Sequence, residues 1–332
     1  MHADAVTLRS SRLFAPLRLV SLLTLLSRVL GLARDVGMAV VFGGGPVMDA
    51  FSVAFRLPNL ARRLFGEGAL TAAFLPVFVR ELEAHSGRQS AWKLASAVLG
   101  LLAITLTALV LIAEALLIGL MEWGGFSAET DLLLGLTAVL LPYLIVICVA
   151  AQISAVQHAL GQFAWPALLP ALLNVIWIAA LAVAVWLFET DRQRIYAVAV
   201  CVMLAGVVQV LAPLPALWRL GFRFDAGWWS ARRQVQEIAR AMLPVVLGLS
   251  VTQLNTFADS LIAWGFAAPL GASDATMPLP GGPAYPLDSG TASALYFGQR
   301  MYQFPLGVFG VALGTVLFPL LARHAERGRL DA

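Results

Sequence analysis

The chain has 332 residues, 60% of them hydrophobic and 12% charged, with a formal net charge of +3. Soluble domains run nearer ~45–50% apolar and ~25% charged. A mean hydropathy of +0.84 therefore excludes a single water-soluble core and demands lipid as the solvent for many segments.

Taken in chain order, eight apolar stretches are long enough to span a bilayer: residues 16–42, 47–79, 92–121, 130–157, 165–188, 194–218, 241–268 and 291–322. The pattern predicts an all-α, polytopic transmembrane helix bundle. Arg9, Arg12 and Arg18 precede the short apolar run Leu19–Leu26. Arg28 interrupts that run and no small-x-small cleavage site follows, so the segment reads as an uncleaved first helix and not as a secretory leader. Pro58, Pro142, Pro170, Pro244 and Pro305 fall inside spans and predict kinks. Cys148 and Cys201 lie in apolar runs and imply neither a disulfide framework nor a metal site.

The basic residues are 21 Arg and a single Lys, Lys93. Sixteen of them fall in connections. Alternate sides of the eight-span arrangement carry fourteen against two, which satisfies the positive-inside rule with both ends of the chain in the cytoplasm. Two connections stand out. Residues 221–240 carry Trp228, Trp229 and interleaved Arg, the pattern of an amphipathic helix lying on the cytoplasmic interface. Residues 269–290 are rich in Gly, Pro, Ala and Ser and read as a flexible external loop.

Six arginines remain inside the spans: Arg28, Arg34, Arg56, Arg62, Arg63 and Arg300. A cation at membrane depth costs at least about 2.5–3.5 kcal/mol on insertion scales. Acids at comparable depth are fewer, namely Asp35, Asp49, Glu67, Glu114 and Asp259. The surplus of positive charge must face protein or water and would favour an anion. Two structural alternatives stand beside that reading. Arg62 and Arg63 could sit at a helix end and snorkel to the interface, and Arg34 could pair with Asp35. Arg28 and Arg300 have no adjacent acid. The chain offers no Gly-rich phosphate loop with Lys, no HExxH, no paired carboxylates at helical spacing and no Cys/His cluster. This favours a transporter of an anionic, membrane-embedded substrate over an enzyme.

Helices one, two and eight carry more specific patterns. Ser27-Arg28-Val29-Leu30-Gly31-Leu32-Ala33-Arg34-Asp35 is followed by Phe42-Gly43, Asp49-Ala50-Phe51 and Ala54-Phe55-Arg56-Leu57-Pro58-Asn59-Leu60. Next comes Arg62-Arg63-Leu64-Phe65-Gly66-Glu67-Gly68-Ala69, and much later Gln299-Arg300-Met301-Tyr302-Gln303-Phe304-Pro305. These blocks resemble the MurJ (MviN) family of lipid II flippases, within the multidrug/oligosaccharidyl-lipid/polysaccharide (MOP) exporter superfamily. The likeness runs the whole chain in order and is strongest in those blocks.

The resemblance implies a MOP/MATE-like N-lobe over 1–220 (helices one to six), the interfacial segment 221–240, and over 241–332 helices seven and eight as the start of a second lobe. The family has fourteen helices in two similar lobes, so most of the second lobe is expected outside this chain, which is then a fragment, a truncated gene or one completed by a second chain. The implied activity is translocation of undecaprenyl-pyrophosphate-linked peptidoglycan precursor across the bacterial inner membrane for cell-wall biogenesis, by alternating access through a cationic cavity. The implied pyrophosphate ligands are Arg28, Arg34, Arg56 and Arg300. Asp35, Asp49, Asn59, Arg62, Arg63, Glu67 and Gln303 are implied as cavity or gate support. Asp259 is a candidate sodium ligand, since some members bind sodium through a helix-seven carboxylate. Sodium, protons and membrane potential stay open as driving forces, and no other cofactor is expected. Partners would be lipid II or a similar polyprenyl-pyrophosphate lipid, membrane lipids and cell-wall synthesis proteins, with no nucleic acid. Alternatives are a flippase for another polyprenyl-pyrophosphate glycan and a non-transporting scaffold in wall assembly. Gln303 stands where several relatives have an acid, and the 269–290 loop is longer than usual for the family.

Overall fold

The computed structural model describes residues 2–66, 68–84, 88–225, 227–269, 276–277, 283–303 and 305, and the side chains of all of these but 2–18, 66 and 228. Helices make up nearly all of it, because in lipid a helix satisfies its own backbone hydrogen bonds. The first span is α1, His2–Phe42. Gly43, at φ 63°, stops it. After two more glycines Pro46 opens α2, Pro46–Ala61, in the first turn, where its missing N–H costs nothing.

The second span is not continuous, contrary to the expected 47–79. α2 runs into a π-helical turn, Arg62–Gly66, before α3, Ala69–Glu83, begins. The chain closes on itself there, since a Cβ on Gly68 would collide with the Arg63 carbonyl. Only glycine fits so close an approach.

Next come α4, Arg88–Trp123, and α5, Ala128–Leu140, the latter capped by the Ser127 hydroxyl accepting from the Thr130 N–H at 3.3 Å. Leu141 and Pro142 interrupt the helix between α5 and α6, Tyr143–Ala159, so Pro142 marks the kink expected there within one span, Ala128–Ala159. α7, Ala164–Leu187, retains Pro170 within it. α8, Asp191–Leu211, is capped by Thr190 and is followed by the short α9, Leu214–Arg219. A single 3₁₀ turn, Trp228–Ala231, leads straight into α10, Arg232–Gly265. The interfacial segment is therefore continuous with the seventh span from Arg232 onward, where a separate helix was expected. Residues 291–303 form α11. The described parts of the loop before it fold back on the chain: the Ala268 N–H donates to Leu287 at 2.8 Å and the Met277 N–H to Pro283 at 2.9 Å.

Among the described residues, five stretches are long and apolar enough to cross a membrane: Arg88–Trp123, Ala128–Ala159, Ala164–Leu187, Asp191–Arg219 and Trp229–Gly265. α1, the α2–α3 pair and α11 fall short of that measure for reasons already visible. Arginines dilute the first, a break divides the second, and only part of the expected eighth span lies among the described residues.

One apolar core joins α1, α2, α5, α6, α7 and α8. At its centre Phe51 and Phe55 each meet Trp177 edge-on, with centroids 5.6 and 5.0 Å apart, and Phe55 stacks on Tyr143 at 6.1 Å. A second core packs α3, α4 and α6 against Leu217, Phe222 and Ile238. α1 is thus held against α7, and α2 packs against α5 and α10.

Candidate anion-binding cavity

A cavity of about 440 Å³ lies between α1, α2, α6, α7 and α11. Its wall includes Arg28, Arg34 and Asp35 from α1, Asn59 and Arg62 from the end of α2, Asn174 from α7, and Arg300 and Gln303 from α11. Positions 24, 28, 31 and 35 follow the helical repeat of α1, which is why one face of that helix carries the group.

Arg34 is fixed on every side. Its Nε and Nη2 donate to Asp35 Oδ1 at 2.9 and 2.6 Å, and its Nη1 donates to Asn174 Oδ1 at 2.9 Å. Its guanidinium lies over the Trp177 ring at 4.6 Å. Asn174 is itself held by donating to the Ser27 carbonyl at 3.0 Å. Arg34 and Asp35 are each only 7% exposed. The pairing of these neighbours is real, and it places Arg34 on the cavity wall already neutralised.

Asp35 also ties α1 to α11. The Tyr296 hydroxyl donates to its Oδ1 at 3.4 Å, and Arg300 Nε lies 3.8 Å from its Oδ2. Arg300 rests over the Tyr296 ring at 5.1 Å. The acid missing beside Arg300 in sequence is therefore supplied from another helix, although at a distance that leaves the guanidinium available. Arg28, half-buried, has no hydrogen-bond or ion-pair partner among the described residues. With two arginines sharing Asp35 and a third unpaired, the wall carries net positive charge, and guanidinium forks are matched to phosphate or carboxylate oxygens.

Arg56 is elsewhere. It lines a smaller pocket of about 110 Å³ between α2, α10 and α11, with Arg62, Arg63, Gln253 and Gln299. Its Nε is buried without an acceptor. Arg300, Asn59, Arg62 and Gln303 belong to both pockets, so the four expected ligands divide into three plus one with Arg300 between them. The azimuth of Arg56 on α2, which sequence depth alone does not give, decides this. Arg62 and Arg63 are carried in the π-helical turn, and Arg62 faces the cavity.

Asp49 is not a cavity residue. It is 3% exposed and accepts two backbone N–H bonds, from Gly290 at 2.8 Å and Ser293 at 2.6 Å. It thereby caps the N-terminus of α11 from another helix, where a carboxylate meets unsatisfied donors and the positive end of the helix dipole. Gly290 has φ 93°, and a Cβ there would lie 3.1 Å from the Gly44 carbonyl. This contact holds the start of α11 against the Gly43–Pro46 turn, further along the chain from Thr24 and Ser27, which line the cavity. Glu67 lies outside the described residues. Asp259 accepts from Asn255 of its own helix at 3.5 Å, and no group of three His, Cys, Asp or Glu able to hold a metal occurs among the described residues. Asn174, Trp177 and Tyr296 had no signal in the sequence. Each acts through a partner more than a hundred positions away.

A family model described as "Lipid II flippase MurJ" matches residues 38–332. Among curated relatives, a probable lipid II flippase MurJ of Vibrio cholerae is 34% identical over 326 residues, covering 95% of this chain and 57% of that protein. One of Rhizobium tropici is 33% identical over 313 residues, covering 92% and 54%. The lipid II flippase MurJ of Burkholderia cenocepacia is 33% identical over 324 residues, covering 94% and 57%. The chain thus spans a little over half the length of these relatives. A solved structure, "Lipid II flippase MurJ, inward closed conformation", superposes with a TM-score of 0.70 at 22% identity, covering 93% of this chain and 59% of that one. At that identity the likeness establishes the helical fold.

Proposed function

The chain belongs to the MurJ family of lipid II flippases, and on that premise we propose that it forms the substrate-binding half of a transporter for a polyprenyl-pyrophosphate-linked peptidoglycan precursor. The observation that carries this is the convergence of Arg28, Arg34 and Arg300 on one cavity in which Asp35 is the acid on the wall. A pyrophosphate brings about two negative charges and several acceptor oxygens, which Arg28 and Arg300 can engage while Arg34 stays paired with Asp35. The charge cost of holding arginines at membrane depth is then offset when substrate is bound.

Alternating access requires one closed end. The Asp49 contact with Gly290 and Ser293 supplies a closure that can be made or broken by moving α11 relative to α2. In this reading the sealed end faces outward, the chain resides in the bacterial inner membrane, and its described N-terminal helix starts in the cytoplasm, as the asymmetry of basic connections suggests. Coupling to sodium through Asp259, or to protons, belongs to the same proposal, with any further sodium ligands supplied from beyond the described residues.

Complementation tests the reading. In cells depleted of their own flippase, the full reading frame should restore growth, and Arg28→Ala and Arg300→Ala should each abolish rescue at equal protein levels. If both single variants rescue as well as the parent, the cavity is not the substrate site.

A further inference from the structure

Away from the arginine cavity, a pocket of about 240 Å³ opens between the first turns of α4 and the 3₁₀ turn that leads into α10. Gln89, Ser90 and Lys93 line it from α4, and Ser230, Ala231 and Gln234 from the other side. It shares no lining residue with the cavity that holds Arg28 and Arg300. Its two walls are fixed to one another. The Asp225 N–H donates to the Ser96 hydroxyl at 3.0 Å, and Phe222 meets Trp92 edge-on with centroids 5.5 Å apart, so the strip before the 3₁₀ turn is held on α4. Behind the lining, Glu81 of α3 accepts from the Ser90 hydroxyl and, at 3.4 Å, from Gln234 Nε2. One carboxylate thus joins α3, α4 and α10 at this place.

The lining sets a cation beside acceptors. Lys93 is half-buried, and its ammonium has no hydrogen-bond or ion-pair partner among the described residues. An ammonium brings donors and no acceptor. The two serines are the reverse. Ser90 commits its hydrogen to Glu81, and Ser230 commits its own to the Gly227 carbonyl at 2.9 Å, so each oxygen is left as an acceptor. The Glu81 charge behind Ser90 strengthens the acceptor there.

The pocket also lies at a membrane boundary. Lys93 is the last charged residue before the apolar run of α4, in which the next charge is Glu114. Trp218, Phe224 and Trp229 are exposed on the segment that forms the other wall, with Trp229 in the 3₁₀ turn itself. Large uncovered aromatics of this kind belong at the level of lipid headgroups.

We propose that this pocket seats the headgroup of a membrane phospholipid that carries both a phosphodiester and a primary ammonium, the phosphoethanolamine class. Its phosphate oxygens accept from Lys93, and its ammonium donates to Ser90 and Ser230 beside the Glu81 charge. A phosphocholine headgroup has no ammonium hydrogen to donate. A phosphoglycerol headgroup brings hydroxyl donors but no positive charge to meet Glu81. A lipid seated here bridges α4 and the start of α10, and the site does not depend on what the arginine cavity carries.

The test is lipid binding to the full chain, purified in detergent and stripped of lipid, with bound molecules counted by native mass spectrometry. Phosphatidylethanolamine, phosphatidylglycerol and phosphatidylcholine with identical acyl chains are titrated in turn. The parent should bind its first phosphatidylethanolamine about fivefold more tightly than either of the others, the scale of one partly exposed ion pair. Lys93→Gln should weaken that binding by a similar factor. Glu81→Gln should abolish the advantage over phosphatidylglycerol while leaving phosphatidylglycerol itself unchanged. Ser230→Ala, which leaves the three-helix junction intact, should narrow the same advantage and decides the matter should the Glu81 variant fail to fold. Tightest binding of phosphatidylglycerol by the parent shows a pocket that reads net negative charge and overturns the proposal. An advantage that survives Lys93→Gln and Ser230→Ala places the lipid elsewhere and overturns it too. Water-soluble phosphoethanolamine is the fourth probe. It should compete only at far higher concentration than the lipid, and equal competition assigns the pocket to a free solute and overturns the lipid reading.

Discussion

The two ends of the described part of α11 treat charge in opposite ways. At its start Asp49 is buried, and both of its oxygens accept a backbone N–H from within 2.8 Å. Two turns further on, Arg300 has an aromatic ring beneath it and a carboxylate 3.8 Å away that is already committed to Arg34. A matched charge builds structure, whereas Arg28 and Arg300, short of partners among the described residues, are the arginines that the proposed substrate would engage. The same contrast runs along α1, where Arg34 is locked and Arg28 is not.

Three substitutions probe that contrast. Arg34→Ala should have the largest effect on stability, because it strands Asp35 in a buried site. A loss of about 3–5 kcal/mol is expected, visible as a drop in melting temperature, and the double replacement Arg34→Met/Asp35→Leu should cost less than the single one. Asp49→Ala comes next, at about 2–3 kcal/mol for two charge-assisted bonds. It should also open the sealed end. A cysteine placed at Ser293, with Cys148 and Cys201 replaced by alanine, should react faster with a membrane-impermeant thiol reagent when Asp49 is absent, and an unchanged rate would remove Asp49 from the closure. Arg28→Ala should have the smallest effect, within about 0.5 kcal/mol, as expected for a residue with no partner to lose. Should it destabilise as much as Arg34→Ala, the division between locked and available arginines collapses.

How much of this could be read in the sequence depended on the range of the forces involved. Hydropathy located α4 to α8 to within a few residues, because transfer into lipid acts on each segment by itself. Pro142 announced the kink between α5 and α6 for an equally local reason. The break at Arg62–Gly66 carries no proline and was read as continuous helix, since what opens it is the close return of Gly68 onto the Arg63 carbonyl. Charge arithmetic identified six arginines as a surplus, and the structure brings four of them, Arg28, Arg34, Arg62 and Arg300, to one cavity wall. It could not show that Arg56 points to a different side of α2. Nor could it show that Asp49 serves a helix end 241 positions away, or that Asn174, Trp177 and Tyr296 aim the arginines. Depth in the membrane is written in composition, but azimuth and partnership are set by packing.

The long apolar helix α4 gives the molecule a measure of the membrane it would cross. It has 36 residues, and only 11% of those in its most apolar stretch are buried among the described residues. From Lys93 near one end to Glu122 at the other it rises about 43 Å at 1.5 Å per residue. A bilayer counted from headgroup to headgroup is about 40–45 Å thick. An upright α4 therefore has one comfortable height, with Lys93 in one headgroup layer and Glu122 and Trp123 in the other. Because α4 is packed to α3 and α6 through the second core, the rest of the bundle is carried to that height with it. A thinner membrane must tilt this gauge or stretch to meet it, and in tilting it would change the depth at which the arginines wait.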